Sequence, residues 1–100
     1  MVSYRLRALA RNDLETIWDY TLEEWGIEQA ERYLAELFSC FDDLARNPKI
    51  GKSRDDLMPG SRSFPQGRHV VFYEIDHTGI EILCIVHQTA DVQTHFGLGQ

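Results

Sequence analysis

Cysteine is scarce in this chain: two in 100 residues, Cys40 and Cys84, with no spacing motif between them. A disulfide framework and a local thiolate metal motif are therefore not expected. Both read as buried free thiols, one in a predicted helix and one in a predicted strand. Long apolar runs are missing too. No window approaches the roughly 18 uncharged apolar residues that a membrane span needs. Met1-Val2-Ser3-Tyr4-Arg5 leads into no apolar run, so no secretion signal is expected and the cytoplasm is the expected compartment. Positive charge is in deficit, with 10 Lys and Arg against 16 Asp and Glu, a formal charge of −6. That argues against a broadly basic nucleic-acid-binding surface and against direct sequence-specific DNA binding by this chain. There is no Gly-rich phosphate loop, no Ser/His/Asp signature, no repeat and no low-complexity tract. None of the four histidines, His69, His77, His87 and His95, has the spacing of a helical ligand pair, so no metal or cofactor is expected.

The charge that is present is uneven. Residues 1–48 carry ten acids and five bases, and residues 49–100 six acids and five bases. Lys49, Lys52, Arg54, Arg62 and Arg68 lie close in sequence, and Arg5, Arg7 and Arg11 form a second group. Either the fold gathers these bases into a local patch or they are scattered and solvated.

Secondary structure follows from periodicity. Val2, Tyr4 and Leu6 alternate with Ser3, Arg5 and Arg7, predicting a short strand. Asn12-x-x-Glu15 has the form of a capping box, although Leu9-Ala10-Arg11 could already be helical. Leu14, Ile17, Trp18, Thr21, Leu22 and Trp25 then keep helical spacing, which predicts that both tryptophans are core. Gly26 ends that helix. Ile27, Ala30, Leu34, Leu37, Phe38, Phe41, Leu44 and Ala45 extend a second apolar stripe for about five turns, which Asn47-Pro48 stops. With one glycine between them, the two helices form an antiparallel hairpin whose outer faces carry the acids.

Gly51, Pro59 and Gly60 mark a loop, Ser61-Arg62-Ser63-Phe64 a short strand, and Pro65-Gln66-Gly67 a turn. A β-hairpin follows, with arms at residues 67–75 and 80–88 and Gly79 closing a three- or four-residue loop. Both arms are apolar on both faces. Val70 and Phe72 lie on one side and Val71, Tyr73 and Ile75 on the other; in the return arm Ile82 and Val86 lie opposite Leu83 and Ile85. Residues 89–100 read as a polar C-terminal tail whose large apolar residues are Phe96 and Leu98.

The order β-α-α-β-β-β predicts one α+β domain over residues 1–100, with the helical hairpin packed on one face of an antiparallel sheet. The second apolar face is then left uncovered, and an exposed apolar patch marks a binding surface. His69 and His87 stand at the outer ends of the two arms. One register sets them opposite each other and a one-residue slip sends them to opposite faces. Arg68, His69, Tyr73 and His87 are the residue types that cleavage of RNA needs: a base, an acid and a cation. In the plainer reading Tyr73 packs and the histidines only satisfy strand ends.

Several stretches carry a resemblance. Tyr4-Arg5-Leu6, Ala10-x-x-Asp13-Leu14-x-x-Ile17-Trp18-x-Tyr20, Trp25-Gly26 and Ala30-x-x-Tyr33 are among them. Asn47-Pro48-x-x-Gly51, Gly67-x-His69-Val70-Val71-Phe72-Tyr73 and Ile82-x-x-Ile85-x-His87-Gln88 complete the set. In this order and spacing they resemble the ParE branch of the ParE/RelE toxin superfamily over nearly the whole chain. The resemblance implies a non-enzymatic toxin of a type II toxin–antitoxin system that inhibits DNA gyrase. It also implies a ParD-like antitoxin whose C-terminal segment fills an apolar groove, giving a toxin–antitoxin hetero-oligomer.

Carried onto this chain, the resemblance implies antitoxin contacts at Arg62, Val71, Tyr73, Ile82, Cys84 and Val86. Candidates for gyrase inhibition are Arg68, His87, Gln88 and Phe96. RelE-like relatives instead cut mRNA on the ribosome, and in that alternative Arg68, His69 and His87 are the catalytic set. Val70 stands where those relatives tend to place an arginine, and the tail has no tyrosine. Cys84 stands where many ParE relatives carry arginine, which leaves a third reading, a degenerate toxin that only binds its antitoxin.

Overall fold

A computed structural model describes residues 3–97; the expectations for Val2 and Leu98 lie outside them. The chain runs β1 (Tyr4–Leu6), α1 (Ala8–Trp25), α2 (Ile27–Arg46), a 3-10 turn (Pro48–Ile50), β2 (Lys52–Ser53), β3 (Ser61–Gln66), β4 (His69–Asp76), β5 (Gly79–His87) and α3 (Val92–Phe96). This is the α+β arrangement expected, with differences: β2 forms inside the stretch read as a loop, and β3 continues through Pro65 and Gln66, leaving Gly67 and Arg68 as the turn. The sheet is mixed, in the order β1-β5-β4-β3-β2, because β1 pairs parallel to β5 while the other neighbours are antiparallel. A third, short helix forms within the stretch read as tail.

The capping box is not used. The Arg7 amide donates to the Ile82 carbonyl at 3.0 Å, which extends the parallel pairing by one residue. The chain then turns straight into α1 with Arg7 as its cap residue, so Asn12 lies inside the helix. Gly26, at φ 91°, separates α1 from α2. One face of the sheet packs on this helical hairpin. Leu14, Ile17, Leu37, Phe41 and Leu44 meet Val71, Tyr73, Ile80, Ile82 and Ile85 there. The Tyr73 hydroxyl, at the far side of this core, donates to the Pro48 carbonyl at 2.6 Å and accepts the Gly51 amide at 3.0 Å.

The β4–β5 hairpin closes on two residues, His77 and Thr78, rather than three or four, since Asp76 already pairs with Gly79. The Asp76 carboxylate accepts from the Thr78 amide and hydroxyl, both at 2.8 Å, and so fastens the tight loop. Tyr73 then pairs with Ile82 but Phe72 with Cys84, leaving Leu83 as the extra residue of a β-bulge. The bulge reverses the side-chain alternation. Ile82 and Ile85 therefore share the helix-facing side, while Leu83, Cys84 and Val86 take the other. It also restores the register that sets His69 opposite His87.

The second apolar face is not left open. Phe72, Leu83, Cys84 and Val86 are buried beneath Leu57 and Met58 of the loop before β3 and Val92 and Phe96 of α3. The rings of Phe96 and Phe72 meet edge to face at 5.4 Å. The Asp91 carboxylate caps α3 by accepting the Gln93 amide at 3.1 Å and the Thr94 hydroxyl at 2.8 Å. This corrects the expectation that the face awaits a partner: the tail and the loop cover it. At about 1.5–3 kcal/mol for each large apolar side chain buried, Phe72, Leu83 and Val86 give this cover a substantial share of the domain's stability.

Candidate functional site

The two groups of bases do not merge into one patch, because β1 and β2 are the opposite edges of the sheet. Arg5 pairs with Asp76, Arg7 with Glu81 at 3.1 Å, and Arg54 with Asp56 at 3.2 Å. Arg62 donates to the Gly51 carbonyl at 2.6 Å and so serves the loop after α2. Arg68 stands apart, with its guanidinium 4.8 Å from the centre of the Trp25 ring. Trp25 is thereby corrected from a core residue to a surface one, 54% exposed at the end of α1. Trp25 is the last residue of α1 and belongs to neither buried cluster.

Trp25 and Arg68 border a cleft of about 480 Å³ between the helical hairpin and the open end of the β4–β5 hairpin. Tyr20, Tyr33, His69 and His87 line it further. Tyr33 is the organising residue. Its hydroxyl meets His69 Nδ1 at 2.6 Å and accepts the Arg68 amide at 3.1 Å. Gly67, at φ 60°, makes room for it: a Cβ there would lie 2.7 Å from a Tyr33 ring carbon. Burial, opposed in part by the Arg68 amide, raises the Tyr33 hydroxyl above its usual value. The His69 and His87 rings stand edge to face at 5.4 Å. Burial first, then the neighbouring His87 and Arg68, pushes His69 down to about 4. At neutral pH His69 is thus an uncharged imidazole hydrogen-bonded to a phenol, able to accept a proton.

The other predicted site residues are placed differently. Val71, Tyr73, Ile82 and Cys84 are wholly buried and Val86 is 4% exposed. As the chain is folded here they are core and present no surface to a partner; Arg62 is half-buried. His87 and Gln88 are exposed beside Arg68, whose carbonyl accepts the Gln88 amide at 2.9 Å. Phe96 is occupied in covering Phe72.

One cluster went unseen in the sequence. Asp13, buried on α1, accepts the Ile85 amide at 2.9 Å and contacts His95 Nε2 at 2.8 Å. The Cys84 thiol lies beside them, pushed up to about 12 by burial and by Asp13. The signal available was Asp13 itself, an acid at an inward position of the apolar stripe, which needs buried partners.

Residues 4–92 match the family described as ParE toxin of type II toxin-antitoxin system, parDE. The chain is 42% identical to Toxin ParE1 of Mycobacterium tuberculosis over 90 residues, 89% of this chain and 92% of the relative. It is 37% identical to Toxin ParE1 of Caulobacter vibrioides over 97 residues, 97% of this chain and all of the relative. Among solved structures, a chain of the chromosomal ParDE system of P. aeruginosa shares the fold. Its TM-score is 0.73 at 22% identity, over 87% of this chain and 96% of that one. A chain of the toxin-antitoxin complex RelBE2 of M. tuberculosis gives 0.63 at 28% identity, over 87% and 98%.

Proposed function

This chain belongs to the ParE toxin family as a ParE-type toxin of a toxin–antitoxin system, and we propose that it arrests growth by inhibiting DNA gyrase until a ParD-like antitoxin binds it. The observation that carries the reading is the exposed group Arg68, His87 and Gln88, drawn together where β4 begins and β5 ends. These residues form the proposed gyrase-contacting edge. A cation held over an aromatic face and flanked by polar side chains suits contact with a protein or protein–DNA surface.

With the second sheet face covered, the antitoxin is assigned to the helical side. Tyr20, Trp25 and Ile27 are each at least half exposed around the turn between α1 and α2. Glu23, Glu24 and Glu28 surround them in the sequence. An amphipathic antitoxin segment with an apolar stripe and basic flanks complements that surface. Docked along the cleft, it shields Arg68 and His87 as well, so neutralisation is steric.

Purified protein mixed with gyrase and plasmid tests the proposal. Inhibited supercoiling with accumulation of gyrase-linked cleaved DNA is expected, and Arg68→Ala weakens both. Unimpaired supercoiling with no trapped cleavage at any ratio of toxin to gyrase contradicts it.

A second reading, ribosome-dependent cleavage of mRNA, is favoured by one arrangement: neutral His69 bonded to Tyr33 with exposed His87 alongside. In it His69 accepts the 2′-hydroxyl proton, His87 protonates the leaving oxygen, and Arg68 faces the developing phosphorane charge. Arg68 is the lone cation lining the cleft among the described residues, a thin supply for that charge. Cleavage of ribosome-bound mRNA that is lost in both His69→Ala and His87→Ala selects this reading over gyrase inhibition.

A further inference from the structure

The fold brings three ligand-type side chains from distant parts of the chain to one point. Asp13 on α1, Cys84 on β5 and His95 on α3 each offer one donor atom, and these three atoms lie within 4.8 Å of one another. We propose that Asp13, Cys84 and His95 form a site for a divalent transition-metal ion, with zinc the best-matched occupant, that clamps α3 onto the sheet. The proposal is independent of whether gyrase is the target.

The donor set is a carboxylate, a thiolate and an imidazole. All three are zinc ligands, and the thiolate weighs against magnesium and calcium. Zinc bonds of about 2.0–2.3 Å in a tetrahedron set ligand atoms roughly 3.3–3.8 Å apart. His95 Nε2 stands 2.8 and 3.0 Å from the two Asp13 oxygens, with Cys84 inside the 4.8 Å limit.

The surroundings are also those of a built site. The Ile85 amide donates to Asp13 Oδ2 at 2.9 Å, which fixes the orientation of the carboxylate. Cys84 is a free thiol and wholly buried. His95 is 32% exposed at its side chain, which leaves an entry path from solvent. Carboxylate, thiolate and neutral imidazole sum to −2, so a divalent ion leaves the buried site neutral. On binding, the Cys84 S–H proton is released to solvent and sulfur bonds the metal. His95 gives up its Nε2 proton to solvent and carries its remaining proton on Nδ1, so the Asp13–His95 hydrogen bond is replaced by one metal bond from each.

α3 has five residues, and its apolar contacts to the sheet come from Val92 and Phe96. A metal bond from His95 would add a third tie, to α1 and β5 together. Metal availability would then control how firmly the second sheet face is closed. Ligand-spacing rules miss such a site because they read neighbours in sequence, and these residues are 71 and 11 positions apart.

Cobalt titration of the full chain tests this. One Co²⁺ per chain is expected, with a near-ultraviolet thiolate-to-cobalt band that zinc abolishes. Cys84→Ser removes the band, and His95→Ala weakens binding by on the order of tenfold or more. Zinc also raises the melting temperature of the wild type but not of His95→Ala. His95 is partly exposed, so that variant keeps its fold even if Cys84→Ser does not. Absence of Co²⁺ binding by the folded protein overturns the proposal. So does a cobalt complex without the band, which would place the metal at His69 and His87, or a band that survives both substitutions, which would implicate Cys40.

Discussion

Phe96→Ala perturbs the closure of the second sheet face at its most specific contact. The Phe96 ring is half-buried and meets Phe72 edge to face at 5.4 Å. Full burial of a phenylalanine makes its replacement by alanine cost about 3–5 kcal/mol. Half burial scales that to about 2 kcal/mol, with the aromatic pair contributing about 0.5–1.5 of it. Alanine is a good helix former, so the change does not act through helix propensity. Urea unfolding should show the loss as a lower midpoint at nearly constant slope. For a domain of this length the melting temperature falls by roughly 8–16 °C. Exposure of Phe72, Leu83 and Val86 should also raise binding of a hydrophobic dye in the folded state. A stability within about 0.5 kcal/mol of wild type, with no gain in dye binding, refutes the reasoning: α3 would then not be docked in solution, and the face would be open to a partner.

Further perturbations probe the cleft and the buried acid. Gly67→Ala meets both an unfavourable φ and the Tyr33 ring, so it should cost about 1 kcal/mol or more and return the His69 titration, followed by NMR, toward 6.5. His69 is held at about 4 in the folded chain against 6.5 when free. The unfolded state therefore binds more protons between those values, and stability should fall as pH drops from about 6.5 to 4. His69→Asn should flatten that window of the pH–stability curve. Asp13→Ala leaves the buried Ile85 amide without its acceptor and should cost about 1–3 kcal/mol in urea unfolding.

The helical hairpin was legible because its information is local. Leu37, Phe41 and Leu44 repeat at helical spacing, Gly26 interrupts, and Asn47-Pro48 stops. What depends on pairing between distant segments was not. Nothing in Tyr4-Arg5-Leu6 names β5 as its parallel neighbour. The register of the two histidines came out right in one of the two alternatives, but through a two-residue loop offset by a bulge at Leu83, a combination that alternation alone does not reveal. Trp25 has the spacing of a core residue, yet at the last position of α1 it stays half exposed, with its ring under the Arg68 guanidinium.

The stretch 89–100 read as polar because its apolar residues are few. Val92 and Phe96 are nevertheless four apart, one helical turn, and Asp91 caps them. That short amphipathic signal covers Cys84 and Val86 on the face taken for a partner's, while Val71, Tyr73 and Ile82 are buried on the other side, against the helical hairpin. Of the residues named from the sequence, Arg68, His87 and Gln88 are the exposed ones brought together, and their convergence follows from the hairpin register.

Expression of the chain in a bacterial cell, with gyrase–DNA adducts and total mRNA followed together, separates gyrase poisoning from mRNA cleavage. Growth arrest is expected with gyrase covalently trapped on cleaved DNA, intact mRNA, and relief by a ParD-like antitoxin but not when Trp25→Asp and Ile27→Asp remove its docking surface. Arrest with free gyrase and cut mRNA, or no arrest at all, contradicts gyrase poisoning.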